Sequence, residues 1–236
     1  MAKPRPLKLA KPPIVEAVVD IDCDMPPTMD LVALAIRAAD LFRAQYPKSR
    51  TRIVQEHEYK QEVGAVPEVS MRQRIQALQF LHDDEKQLVQ VRSLGFSFNR
   101  LAPYSSLDDY LPEIERAWGL FVSFASPVQI RAIRLRYINR ILLPFTGQRV
   151  NVDDYLKLRP QLPDEERLTF AGFLNQYAVV EAVTGNQANV VLTTQPEVVD
   201  KLPLIFDIEV TSTGSAEPGD WPWIVRRIQS LRSLKN

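Results

Sequence analysis

A chain of 236 residues in which 29 acidic side chains offset 29 basic ones has no global field to draw it to nucleic acid or to an anionic membrane. Its hydrophobic fraction of 45% and charged fraction of 25% are those of an ordinary globular protein with enough length to bury a real core. The one cysteine, Cys23, excludes an internal disulfide framework and a cysteine-based zinc site, and His57 and His82 leave no spare candidates for a two-histidine metal site.

The start, Met1-Ala-Lys-Pro-Arg-Pro6, has no apolar signal core, and no run of about 18 apolar residues occurs, so a cytoplasmic, reducing location is expected. Residues 1–13 read as a flexible or extended arm. Ile14 to Asp22 alternates as a strand, with Val19, Ile21 and Cys23 on one face. Its other face carries Glu16, Asp20, Asp22 and Asp24. Pro26-Pro27-Thr28 starts a helix capped by Thr28, with Leu31, Leu34, Ile36, Ala38 and Phe42 on its buried side and Tyr46-Pro47 at its end. Strands follow near 51–58, 68–80 and 86–99, with His82-Asp-Asp-Glu85 as a hairpin turn. A second helix runs from Leu107 to Phe124. Asp108 and Asp109 lie at its positive end, and Trp118, Phe121 and Phe124 form its apolar side.

A strand over roughly 128–143 comes next, then a short helix near Val152–Leu158. Strands near 166–181, 187–195 and 203–211 follow, the first two joined by the hairpin signal Thr184-Gly-Asn186. Thr213 to Gly219 reads as a loop. Trp221 to Asn236 reads as a final amphipathic helix through Ile224, Ile228, Leu231 and Leu234. The order is strand, helix, three strands, helix, twice over. It predicts an α+β fold, one compact pseudo-duplicated domain with halves at 14–124 and 125–236. The expected sheet is curved and mainly antiparallel, with helices on one side and the first strands of the two halves near the pseudo-twofold.

The strand Arg134-Leu-Arg-Tyr-Ile-Asn-Arg-Ile-Leu-Leu-Pro144 is the most unusual segment. Alternation sets Leu135, Tyr137, Asn139 and Ile141 on one face, and Arg134, Arg136, Ile138 and Arg140 on the other. A guanidinium is costly to bury alone, so these arginines need solvent, a carboxylate or a bound anion. Cross-strand ion pairs with the acidic stripe of the first strand are one expectation, and a binding face made of Arg134, Arg136, Tyr137, Asn139 and Arg140 is the other. In either case Arg136 pairs an anion and Asn139 orients a neighbouring backbone or ligand. Phe96 and Phe98 are expected in the core, with Ser97 and Asn99 opposite. Tyr104-Ser-Ser106 is either a ligand-binding loop or the entry to the second helix. The acidic stripe of Asp20 and Asp22 would have to hold the metal of a metal-dependent hydrolase, but no further ligand completes it. No nucleophile–base pair, phosphate loop or dinucleotide fingerprint is present.

Several segments together resemble a sporadically distributed bacterial family of uncharacterised proteins of about this length. They are Pro12-Pro-Ile-Val-Glu-Ala17, Gly95-Phe-Ser-Phe98, Tyr104 and Trp118 about the second helix, and Leu135-Arg-Tyr-Ile-Asn-Arg140. The resemblance implies a cytosolic bacterial protein and brings no activity, cofactor or catalytic residue with it. Members of that family continue somewhat past the last helix, which implies a shortened C-terminal edge here. The sequence thus reads as a non-enzymatic binding or protein-interaction module, homodimeric or joined to a protein partner, without cofactor, metal or membrane. Nucleic-acid binding in a mobile-element or defence setting is the alternative, with a metal-dependent hydrolase third.

Overall fold

The computed structural model describes residues 12–60, 68–144, 150, 154–156, 172–196 and 198–235. The elements run β1 (Ile14–Asp24), α1 (Leu31–Phe42), β2 (Lys48–Lys60), β3 (Glu68–Leu81), β4 (Gln87–Arg92), β5 (Gly95–Leu101) and α2 (Leu107–Ala125). They continue with β6 (Gln129–Pro144), β7 (Leu174–Val180), β8 (Gln187–Thr194), β9 (Lys201–Ala216) and α3 (Trp221–Lys235). Among the described residues all nine strands join one antiparallel sheet in the order β2-β3-β4-β5-β1-β6-β9-β8-β7. The first strands of the two predicted halves, β1 and β6, are therefore central neighbours.

Period-two alternation splits the sheet into two unlike faces. Ala17, Val19, Ile21 and Cys23 of β1 join Val89, Val91, Phe96, Phe98, Leu135 and Tyr137 in one buried cluster. Phe42 of α1, Trp118 and Phe121 of α2, and Ile224 and Ile228 of α3 belong to the same cluster, so all three helices cover that face. Phe96 packs within it edge-on against Trp118 and at a tilt against Phe121, with ring centroids 5.8 and 5.7 Å away. Glu16, Val18, Asp20 and Asp22, the alternate residues of β1, point to the uncovered face.

Polar groups at the helix ends find partners as helix physics requires. Ser106 Oγ accepts from the Asp108 amide at the start of α2, and Asp220 accepts from the Trp223 amide at the start of α3. Asp108 also takes a two-bond fork from Arg232 at 2.7 and 2.8 Å, tying the first turn of α2 to the last of α3. The indole N–H of Trp118 donates to the Pro218 carbonyl at 2.9 Å, which fixes the loop before α3. Buried Tyr46 donates to Glu113 at 2.6 Å and accepts from Gln87 at 2.9 Å, and burial pushes its hydroxyl pKa up.

Four local expectations are corrected. Asp30 caps α1 in place of Thr28, its carboxylate accepting from the Val32 amide at 2.9 Å. Ile36, expected on the buried side of α1, is 79% exposed, because the face that reaches the sheet runs through Leu31, Ala38 and Phe42. The single strand expected over 86–99 is a hairpin of β4 and β5, turning at Ser93-Leu94 into Gly95, whose φ of +139° suits glycine alone. Residues 213–216, expected in a loop, extend β9, with Thr213 paired to Ala132 and Ala216 to Ile130. Among the described residues four strands separate α1 from α2, whereas three follow β6 before α3. The short helix expected near 152–158 and the start of the strand expected from 166 lie largely outside the described residues.

Candidate binding groove on the uncovered sheet face

Antiparallel pairing brings the acidic stripe of β1 against β6, with Asp20 opposite Arg134 and Val18 opposite Arg136. Asp22 accepts from Arg134 at 2.7 and 2.9 Å, and also from Arg92 of β4 at 2.8 Å. Asp20 lies 3.6 Å from Arg92 and 3.8 Å from Arg134, and it takes a short hydrogen bond from the Ser97 hydroxyl. Two carboxylates and two guanidiniums thus interlock across β4, β5, β1 and β6. Farther along the same pair, Arg131 bonds Asp24.

Arg136 turns away from β1. Its guanidinium makes a two-pronged contact with Asp207 of β9, Nε to Oδ1 at 2.9 Å and Nη2 to Oδ2 at 2.6 Å. These hydrogen bonds push the guanidinium pKa up, so Arg136 is firmly charged and already has a counterion. The expected cross-strand pairing therefore holds for Arg134, while Arg136 finds its acid on the strand at its other side.

An amide chain crosses the other half of this face. Gln79 of β3 donates to Gln90 of β4 at 2.9 Å, Gln90 to Asn99 of β5 at 2.8 Å, and Asn99 to Glu16 of β1 at 2.7 Å. Each amide satisfies the next through a diagonal or direct cross-strand neighbour, which holds the side chains flat on the sheet. These residues floor a recess of about 500 Å³, within the ~300–1,000 Å³ typical of small-molecule sites. Its rim carries Arg52 from β2, Arg74 from β3, and Arg136 and Ile138 from β6. Arg74 pairs with Glu56 at 3.0 Å, and Arg52 has no ion-pair partner among the described residues.

The five residues singled out on β6 divide between environments. Arg134 and Arg136 lie on the uncovered face, where only Arg136 lines the recess. Tyr137 and Asn139 are buried on the helical face. The Asn139 amide donates to the Phe206 carbonyl at 2.9 Å, bridging β6 to β9. Tyr137 packs against Tyr104 at 5.9 Å, with the Lys235 ammonium 4.4 Å from its ring centre. Tyr104 also packs on Tyr110 at 5.7 Å, which makes it part of the entry to α2. Arg140 is exposed toward the far end of β6.

Gln79, Gln90, Arg92 and Asp207 escaped the sequence reading. The signal for two of them was present, since Gln90 and Arg92 alternate with buried Val89 and Val91 on β4. The other candidates are accounted for locally. His57 is exposed, and His82 lies 3.1 Å from Asp84 in its turn. Cys23 is buried, and that burial, with Asp22 adjacent, pushes its thiol pKa up to about 12, which suits a packing residue and not a nucleophile. Among the described residues, no group of three His, Cys, Asp or Glu side chains is arranged to hold a metal ion. No described helix is long and apolar enough to cross a membrane. Compared with protein-family models, curated proteins and solved structures, the chain finds no match.

Proposed function

We propose that this chain is a non-enzymatic binding module that holds a small, polar, net-neutral ligand in the recess of its uncovered sheet face. The observation that carries this reading is the amide chain Gln79–Gln90–Asn99–Glu16 along the floor, an array of donors and acceptors preset by cross-strand bonds. A preorganised polar floor spares a ligand the ordering cost that loose side chains impose. Charge in the recess is balanced, with Arg92 and Arg136 each neutralised by an internal aspartate. A zwitterion such as an amino acid or short peptide meets both signs there. A polyphosphate chain would need several cations free of internal partners, and Arg52 alone of the lining arginines lacks one among the described residues, which weighs against the nucleic-acid reading. Walls drawn from β2 and β3 on one side and β6 on the other fit a curved sheet coiled about a pseudo-twofold at the β1–β6 pair.

Thermal unfolding at low salt tests the reading with three probes: amino acids and dipeptides, spermidine, and a single-stranded oligonucleotide. A ligand at a hundredfold excess over its Kd stabilises by about 2.7 kcal/mol, or roughly 5–10 °C in Tm for a chain of this size. The zwitterions are expected to give that shift in the wild-type chain and to lose it in Gln90→Leu and Arg136→Met. Silence from every zwitterion, or a salt-sensitive shift with the oligonucleotide alone, would overturn the reading.

A further inference from the structure

The hairpin of β2 and β3 is longer than the sheet that carries it. Pairing between β3 and β4 covers only Ala77 to Leu81, while the β2–β3 ladder continues out to Lys60 and Glu68. From Ile53 and Ile75 onward the hairpin is a two-stranded ribbon without a third strand among the described residues, and Ile53 and Met71 on it are 54% and 58% exposed. Two strands alone are marginal in water. Among the described residues β2 is also the terminal strand of the sheet, and one row of its backbone groups lacks a strand partner there.

The charges along that edge are arranged in blocks. Lys48, Arg50 and Arg52 occupy the first half, Glu56 and Glu58 the second, and Lys60 ends the strand. The register shift at Arg52 and Ile53 inserts its extra residue, Gln76, into β3, so β2 alternates without interruption and these positions share one face of the strand. Antiparallel pairing of β2 with itself about an axis at Val54 sets the Arg52 position against Glu56 and Arg50 against Glu58, in both directions, with Lys48 against Lys60 at the ends. An axis at Ile53 sets Arg50 against Glu56 and Lys48 against Glu58. About Ile53 every charge that meets a charge meets its opposite, and about Val54 this holds apart from Lys48 against Lys60 at the ends. Lys48 and Arg50 already contact Glu85 of their own chain, at 3.0 and 2.8 Å, and Glu56 contacts Arg74 at 3.0 Å, so cross-strand pairs at these positions would add to contacts within each chain. The opposite edge of the sheet, β7, has seven residues and no charge, so nothing there selects a register.

We infer that the chain forms an isologous dimer in which β2 of one copy pairs antiparallel with β2 of a second copy, extending the sheet across a twofold axis. Like charges along a lone edge discourage pairing, but a block of each sign makes the same edge complementary to its own twofold image and to few others. The inference is independent of what the recess binds.

Sedimentation of the full chain with two charge-reversal variants decides it. The wild-type chain is expected at about twice its 26.9 kDa mass. Arg50→Glu/Arg52→Glu makes the middle of the edge acidic, with Lys48 and Lys60 left at its ends, and Glu56→Lys/Glu58→Lys makes the edge basic throughout. Each alone is expected to be monomeric, with self-association weakened at least about a hundredfold. Mixed in equal amounts, they are expected to recover a dimer containing one copy of each. A monomeric wild type, a dimer that survives either reversal, or two folded variants that do not combine would each overturn the proposal. Should a double variant fail to fold, Arg52→Glu and Glu56→Lys put the same question singly, with the same outcomes.

Discussion

Replacing Asp22 with alanine is expected to cost the fold about 2–3 kcal/mol, although Asp22 touches no helix and lies outside the apolar core. One carboxylate there serves two arginines from different strands, Arg92 at 2.8 Å and Arg134 at 2.7 Å. The three side chains are only 20%, 20% and 28% exposed. Removing the acid leaves two partly desolvated guanidiniums without their main counterion. Breaking a fully buried pair costs about 3–5 kcal/mol, and the remaining solvent contact lowers the figure for each arginine here. Asp20 at 3.6 and 3.8 Å offers a partial substitute, which lowers it further. Urea unfolding of Asp22→Ala, Arg134→Met and the double variant separates pair from environment. A coupling of about 1–2 kcal/mol is expected between them, and coupling below about 0.3 kcal/mol would class the pair with solvated surface contacts.

Gly95→Ala is expected to be the more damaging change, at about 4 kcal/mol and roughly 10 °C in Tm. Gly95 follows the tight turn between β4 and β5 and sits opposite Asp22 in the β1–β5 register. Its φ of +139° is strained for any L side chain, and a Cβ there would fall 2.1 Å from the Ile21 carbonyl oxygen and 3.1 Å from the Asp22 Cα. Backbone strain of this kind costs about 1–3 kcal/mol by itself. The overlap is with main chain, which cannot rotate away, so β5 must move off β1. That movement disturbs Phe96 and Phe98 in the core together with Ser97 and Asn99 on the groove floor, coupling stability to the site. Gly119→Ala is the control. Its Cβ would meet nothing within 4 Å, and in the middle of α2 alanine is worth up to about 1 kcal/mol in the other direction.

Alternation made most of the fold readable before any coordinates. Val19, Ile21 and Cys23 declared the buried face of β1, and Trp118, Phe121 and Phe124 that of α2, because burial leaves a period in the sequence. Glycine at 95 was visible too, but not its conformation, and a turn of two ordinary residues, Ser93 and Leu94, gave no punctuation to split the expected strand. Ile36 was misplaced because the helical period alone does not say how wide a stripe the sheet covers.

The site was legible in part. The acidic face of β1 and the arginines of β6 pointed to cross-strand pairing, and Arg134 follows that expectation. Arg136 does not, since its choice of Asp207 depends on β9 lying on the far side of β6, a fact of strand order and not of local pattern. Gln79, Gln90 and Asn99 are unremarkable apart in sequence, and become a floor only when three hairpin-linked strands set them side by side. The Arg-Tyr-Ile-Asn segment therefore marks a structural junction, with Arg136 at the groove and Tyr137 and Asn139 holding the opposite face.

Side-chain NMR of the amide-labelled chain, titrated with the zwitterion that raises its Tm most, tests the central claim most directly. The expected result is movement of the Gln79, Gln90 and Asn99 side-chain amide signals and of the Arg136 Nε–H, while the Trp118 indole and Asn139 amide on the helical face stay in place. Perturbation confined to the helical face, or to the exposed turns, would contradict a binding groove on the uncovered sheet.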